Sequence, residues 1–247
     1  MAHDSLDLEM KERIELGHFD MEAVVWNAQT CSAHKWCFLE ARCTETTIII
    51  LTEAKLTWEV LQLIRQKGKR TIMENSSRDI AIIWDSAVWS YGECGVDTSH
   101  ALGITLLREG TPVSMMGVHL SCNPTTRRRQ MEHIKQTKGV YDLIAGDFNN
   151  VTHSADAANG RGESGLERKT LENFLEGWKD VWRTNPMGGR YTHYPNQQQD
   201  TTPTSSRTNG KGRVVASTGL TLDRAGRRSA ATGELRVCPT MQPWKYG

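Results

Sequence analysis

Polar side chains stand directly after several apolar segments of this sequence, at points where predicted strands end. Asn27 and Glu53 follow the first two such segments. His119 closes a later segment, and Asp147 and Asn149 follow another. Strand ends meet at one rim of a layered sheet, where a rigid backbone can aim side chains into a cleft. We therefore expect these five side chains to form one site.

The types of these side chains suit the hydrolysis of a phosphodiester. The carboxylate of Glu53 suits a hard cation such as Mg²⁺, which binds few protein ligands and keeps most of its waters. Asp147 can orient an attacking water, and Asn149 can donate to a phosphate oxygen. A protonated His119 can donate to a developing oxyanion. An electrophilic ion, a base and donors for the pentavalent charge are what this reaction needs.

Each of these residues also has a plainer structural interpretation. A histidine at a strand end is more often a satisfied structural group than a catalytic one. Asp147 and Asn149 can close a strand through an Asx-type turn. Glu53 can be a solvent-facing residue, and Asn27 alone is the weakest signal. The order of the four segments, rather than any single residue, favours a site.

The pattern of apolar residues predicts short strands alternating with amphipathic helices. A four-residue connection at 108–111 suits an antiparallel hairpin. This mixture predicts an α/β layered domain with mainly antiparallel sheets and helices outside them. Trp26, Trp36, Trp58, Trp84, Trp178 and Trp182 have apolar neighbours and are expected in the core. The predicted strands are 21–26, 46–51, 80–84, 102–107, 113–120 and 140–145, and the predicted helices are 36–43, 57–66, about 125–138 and 166–177.

Composition excludes several classes of protein. The chain has 247 residues and a formal net charge of +1, so global basicity offers no argument for nucleic-acid binding. No segment approaches the roughly 18 apolar residues of a membrane helix. The first 16 residues mix both charges and have no apolar signal-peptide core. We therefore expect an intracellular protein without a membrane partner.

Four short motifs carry a resemblance to a known family. They are Trp-Asn-x-Gln at 26–29, Leu-Thr-Glu at 51–53, Gly-Val-His-Leu at 117–120 and Gly-Asp-Phe-Asn at 146–149. In this order the chain resembles the endonuclease/exonuclease/phosphatase superfamily, with its DNase I-like fold, over about 19–195. Within it, the segments 127–130, 180–183 and 191–194 resemble endonucleases of LINE-type retrotransposons.

The resemblance implies a four-layer sandwich of two packed sheets flanked by helices, with the site at one end. Asn27 and Glu53 would hold Mg²⁺, or Mn²⁺ in its place. His119 would contact the scissile phosphate, Asp147 would align or deprotonate water, and Asn149 would steady the transition state. DNA is the implied partner, with a nuclear location, and no protein partner is predicted. Arg127, Arg128 and Thr192 are the candidates for substrate binding.

The C-terminal part departs from the family. The family closes its site with an Asp–His pair, but the last histidine of this chain is His193. The segment 200–247 is rich in Thr, Ser, Gly and Arg and carries eight Lys and Arg against three acidic residues. Val214 and Val215 could be a remnant of a strand and 220–224 a short helix. We expect incomplete C-terminal strands, and divide the chain into an extension (1–18), the domain (19–199) and a poorly ordered tail (200–247).

Three functions remain open at this point. The first is a metal-dependent DNA endonuclease of retroelement type. The second is a truncated or frameshifted relative without catalytic activity, because the closing histidine is missing. The third is a small-molecule or lipid phosphoesterase, since a fold by itself does not select a substrate.

Overall fold

Two β-sheets pack face to face with helices on their outer surfaces. The computed structural model describes residues 21–66, 69–150 and 165–179, together with the backbone of 212–217, 221–222, 228–229 and 235–238. The helices are α1 (Ala33–Glu40), α2 (Trp58–Gln66), α3 (Pro124–Lys135) and α4 (Gly165–Phe174), and a 3₁₀ turn spans Lys138–Val140. The strands are β1 (Met21–Asn27), β2 (Thr47–Thr52), β3 (Arg70–Glu74), β4 (Ile80–Asp85), β5 (Ser90–Thr98), β6 (Ala101–Arg108), β7 (Thr111–His119), β8 (Leu143–Asp147), β9 (Trp178–Lys179), β10 (Gly212–Ser217), β11 (Thr221–Leu222), β12 (Arg228–Ser229) and β13 (Leu235–Cys238).

Both sheets are mixed, and six of their nine described strand pairs are antiparallel. The first sheet has the strand order β13-β1-β2-β4-β3, and the second has the order β5-β6-β7-β8-β10-β9. Only three of the described pairs are parallel: β1 with β13, β1 with β2, and β7 with β8. The predicted hairpin at 108–111 joins β6 to β7. The fold class predicted from the sequence is therefore confirmed.

Every position of the central strands β2 and β4 of the first sheet is buried, because both strands are mainly apolar and both faces of the sheet are covered. In β2, Ile48 and Ile50 face the second sheet, whereas Ile49 and Leu51 face the helices α1 and α2. This division follows from the two-residue repeat of a strand, which turns successive side chains to opposite faces. A third apolar cluster lies between the second sheet and the helices α3 and α4. These three cores separate four layers.

The edge strands β3 and β5 were not predicted from the sequence. Most side chains of β5 are exposed, and most of those of β3 are half-buried. Edge strands bury less surface than central strands do, so their apolar pattern is weak. Trp58 is also unlike the prediction, because 69% of its surface is exposed and α2 packs through Val60, Leu61 and Ile64 instead.

The C-terminal segment adds strands to both sheets. The predicted strand at Val214 and Val215 is confirmed by β10, which pairs with β8. The helix predicted at 220–224 is wrong where the structure describes it, because Thr221–Leu222 pairs as a strand with β12. The boundaries at 18 and 199 lie outside the described residues and stay predictions. None of the helices in the described part of the chain is long and apolar enough to cross a membrane.

Candidate active site

Register brings the predicted site residues to one end of the sandwich. In the first sheet, β1 and β2 run parallel with Asn27 opposite Thr52, so Glu53 follows directly beside Asn27. In the second sheet, β7 and β8 run parallel with His119 opposite Asp147. Each sheet therefore contributes two of the residues at neighbouring strand ends.

Close packing of the sheets brings the two pairs together. Gly117 lies two residues before His119, on the face of β7 that meets the first sheet. A Cβ atom at Gly117 would lie 2.8 Å from Cγ2 of Ile80 and 3.1 Å from Cγ2 of Ile50. Since such contacts are closer than packed atoms tolerate, glycine allows the sheets to approach near the site.

Unusual backbone conformations mark three positions beside the site. Glu53 and Asn149 have φ values of 47° and 46°, although neither residue is glycine. Gly146 has a φ of 145°, and a Cβ there would overlap the carbonyl group of Val118. Left-handed conformations of non-glycine residues are uncommon and concentrate at functional sites, where the surrounding structure holds them. The strands thus end in turns that direct Glu53, Asp147 and Asn149.

Direct contacts join the carboxylates of the two sheets. Nδ2 of Asn27 donates to Oε1 of Glu53 and to Oδ2 of Asp147, both at 2.8 Å. Oδ1 of Asn27 accepts from the backbone N–H of Gln29 at 3.2 Å. One amide group therefore lies between two carboxylates that belong to different sheets.

These side chains fit a divalent cation. One ligand atom from each of Glu53, His119 and Asp147 lies within 4.8 Å of the other two. Two carboxylates and a carboxamide are the hard oxygen donors that Mg²⁺ and Mn²⁺ prefer. Like charges this close also need a positive partner, and a divalent ion provides one. Glu53 would hold the ion, with Asp147 beside it. Asn27 would join Glu53 through Oδ1 once its amide group turns over, because Nδ2 faces the two carboxylates here.

His119 is oriented by an aspartate that the sequence did not indicate. Asp79 accepts a hydrogen bond from Nδ1 of His119, which leaves Nε2 directed into the site, 3.8 Å from Oε1 of Glu53. A carboxylate that holds one ring nitrogen fixes both the tautomer and the ring orientation. Asp79 lies before β4 in a polar segment, so no strand-end pattern pointed to it.

The turn before β4 is itself organised by a buried asparagine. Oδ1 of Asn75 accepts from the backbone N–H groups of Asp79 and Ile80, both at 2.9 Å, and its Nδ2 donates to the carbonyl oxygen of Thr98 at 2.7 Å. The backbone N–H of Ala54 donates to the carbonyl of Asp79 at 3.0 Å. These bonds attach the turn that carries Asp79 to the loop that follows Glu53.

The pKa values of the two central groups are both raised. Burial acts to lower the pKa of His119, but the hydrogen bond and charge of Asp79, with the charges of Asp147 and Glu53, outweigh it and raise the pKa. Burial raises the pKa of Asp147, against the hydrogen bonds from Asn149 and Asn27.

A buried arginine connects the loop after β8 to the helix α4. Nη1 of Arg127 donates to the carbonyl oxygen of Asn149 at 2.6 Å, and Nη2 donates to Oε2 of Glu167 at 3.0 Å. Arg127 is only 1% exposed, so its observed contacts are with protein groups. A substrate contact by Arg127 remains a prediction without structural support, whereas Arg128 is partly exposed beside Glu167.

The remaining predicted residues are placed as follows. Nδ2 of Asn149 donates to the carbonyl oxygen of Leu120 at 2.7 Å, and its backbone N–H donates to Oδ1 of Asp147 at 2.9 Å. Asn149 thus lies in the site but is engaged with the backbone. Thr192 lies outside the described residues. The side chain of Asn123 caps the helix α3.

This architecture is the DNase I-like fold. The endonuclease domain of TRAS1, a telomere-specific non-LTR retrotransposon, is similar with a TM-score of 0.52 at 9% identity, over 80% of this chain and 85% of that chain. TDP2 of D. rerio complexed with single-strand DNA product has a TM-score of 0.50 at 17% identity, over 84% and 94%. A hairpin-deletion mutant of beta toxin from Staphylococcus aureus has a TM-score of 0.50 at 12% identity, over 92% and 95%.

The comparisons by sequence give no match. No family model and no curated protein matches this chain. At identities this low, the similar structures establish the fold alone.

Proposed function

We propose that this protein is a metal-dependent phosphodiester hydrolase that cuts DNA, as an endonuclease of the retroelement type. The observation that carries the proposal is the cluster of Glu53, His119 and Asp147, with ligand atoms within 4.8 Å of one another. It combines carboxylates for a cation with an imidazole that is held by its own aspartate. This is the set of groups that phosphodiester hydrolysis requires.

Each residue has a defined part in the proposed reaction. Mg²⁺ or Mn²⁺, held by Glu53 and Asn27, would supply Lewis-acid stabilisation of the phosphoryl oxygens. Asp147 orients water and accepts its proton, since the raised pKa of this buried carboxylate makes it a stronger base. Protonated His119 donates from Nε2 to a phosphate oxygen while Asp79 holds Nδ1. Asn149 shapes the loop that presents Asp147.

DNA is the proposed substrate because of the similar structures. TDP2 of D. rerio was solved with a single-strand DNA product, and the TRAS1 domain is an endonuclease. With this substrate, the proposed location is the nucleus. Arg128 is the described residue of the predicted binding set that is exposed enough to reach a phosphate backbone. Contacts of that kind position a nucleic acid without selecting its sequence.

Nicking of supercoiled plasmid in Mg²⁺ tests the proposal, with EDTA as the blank. We expect nicking in Mg²⁺ only, and loss of at least about a hundredfold in rate for Asp147→Asn. Asp142→Asn is the matched control, because Asp142 stands just before the opposite end of β8 and contacts the backbone of Ser114. Nicking that survives Asp147→Asn contradicts the mechanism.

The same protein preparation separates the alternatives. Hydrolysis of phospholipid vesicles or an inositol phosphate without nicking would select the small-molecule or lipid phosphoesterase. No hydrolysis of any substrate at any Mg²⁺ or Mn²⁺ concentration would select the inactive relative. If the protein is inactive, the coding DNA after Arg207 supplies a second check. A different reading frame that encodes the family's closing histidine would show that a frameshift produced the C-terminal sequence.

A further inference from the structure

Two histidines lie beside each other outside the candidate active site. His100 belongs to the turn between β5 and β6, and His133 lies on an exposed position of α3. Their ring centroids are 5.4 Å apart, with the ring planes inclined at 56°. The ring planes are therefore tilted relative to each other rather than stacked. Neither residue has a part in the proposed hydrolysis.

The ring of His100 has a nitrogen for which the described part of the chain offers no partner. Nε2 of His100 is buried and has no hydrogen-bond partner within the described residues. A buried polar atom that lacks a partner is costly, so native structures rarely leave one without water, an ion or a protein group. Burial, and then the neighbouring His133, lower the pKa of His100, which keeps its imidazole in the neutral form that binds metals.

The separation of the rings matches two ligands of one ion. Zn²⁺ binds imidazole nitrogen at about 2.0–2.1 Å in tetrahedral geometry, which places the centroids of two ligand rings about 5 Å apart. The observed 5.4 Å lies close to that value. Imidazole nitrogen suits Zn²⁺, Cu²⁺ and Ni²⁺, whereas oxygen donors suit Mg²⁺ and Mn²⁺. The donor set therefore differs in kind from that of Glu53 and Asp147.

We propose that His100 and His133 form a second metal site that binds a transition-metal ion. Zn²⁺ is the ion that we expect to bind best, with water molecules completing its coordination. The site joins α3 to the turn between β5 and β6. That turn also holds the end of β7, because the backbone N–H of His119 donates to the carbonyl oxygen of His100 at 3.0 Å. An ion bound here stabilises the fold next to the catalytic histidine without entering the reaction.

Calorimetric titration of the full-length protein with Zn²⁺ in excess Mg²⁺ tests the site. The exposed thiols Cys37, Cys94 and Cys122 are alkylated first so that they do not bind the ion. We expect His133→Gln and His100→Gln each to lose one equivalent of bound Zn²⁺, or to bind it at least about tenfold more weakly. His34→Gln, an exposed histidine on α1, should titrate like the parent protein.

Thermal unfolding gives a second readout. Saturating Zn²⁺ should raise the Tm of the parent protein and of His34→Gln by about 5 °C, and should have no such effect on His133→Gln. His133 is exposed, so His133→Gln should fold even if His100→Gln does not. The proposal is overturned if His133→Gln binds Zn²⁺ with the stoichiometry and affinity of the parent protein.

Discussion

The carboxylate of Asp79 holds Nδ1 of His119, a residue forty positions further along the chain. The two side chains come from different sheets, since Asp79 precedes β4 and His119 ends β7. Together with the hydrogen bonds of Asn27 to Glu53 and Asp147, this contact connects the two halves of the site. The sheets are thus joined at this end by polar contacts as well as by the apolar core.

The pH dependence of stability should reveal the pair formed by Asp79 and His119. A histidine whose pKa is raised by folding adds stability that is complete below its unfolded pKa and is lost as the pH rises through the folded value. Asp79→Asn removes the partner that raises this pKa. In EDTA, urea unfolding should therefore show a greater loss of stability at about pH 6 than at about pH 9. Asp97→Asn, whose carboxylate contacts only the backbone N–H of Ser76 among the bonds described, is the control. Equal losses at both pH values for Asp79→Asn would refute the assignment.

The buried pair of Arg127 and Glu167 should be important for folding. Both side chains are nearly inaccessible, and removal of one partner leaves a buried charge. Arg127→Met should lower the free energy of unfolding by about 3 kcal/mol. Arg168→Met breaks an exposed pair with Glu172 and should change it by less than about 0.5 kcal/mol. Urea denaturation measures the free energy of unfolding of both variants. Similar losses for Arg127→Met and Arg168→Met would contradict the importance of the buried pair.

Glycine at position 146 should be required by the backbone. Gly146→Ala introduces a Cβ at a positive φ and against the carbonyl of Val118, so it should destabilise the fold by about 3 kcal/mol or more. Gly139→Ala has open space around the new atom and should lie within about 0.5 kcal/mol of the parent protein. Thermal unfolding of the two variants and of the parent protein compares their stabilities. A Gly146→Ala variant as stable as Gly139→Ala would show that the strand can shift.

The metal requirement should depend on Glu53. Glu53→Gln removes one of two carboxylate charges, so the Mg²⁺ concentration for half-maximal nicking should rise by at least about tenfold. Glu59→Gln, at an exposed position of α2, is the control and should leave that concentration unchanged. An unchanged Mg²⁺ requirement in Glu53→Gln would assign the cation to other residues.

Sequence periodicity predicted the central elements and failed at the edges. The apolar runs of β2, β4 and β8 are buried on both faces, so the pattern identifies them without knowledge of their neighbours. β3 and β5 contain few apolar residues because each pairs on one side alone, and only tertiary structure shows that they are strands. Trp58 was expected in the core for its apolar character, but the orientation of α2 leaves it exposed.

The amino-acid sequence by itself determined which side chains stand at strand ends, because the end of an apolar run is a local property. It thereby indicated Asn27, Glu53, His119, Asp147 and Asn149. Tertiary structure decided which of their atoms meet, that Asp79 holds the histidine, and that Arg127 turns inward to Glu167. These contacts depend on how closely two sheets approach and on the conformations of three turns. Such quantities come from packing between segments far apart in the chain, and no local pattern contains them.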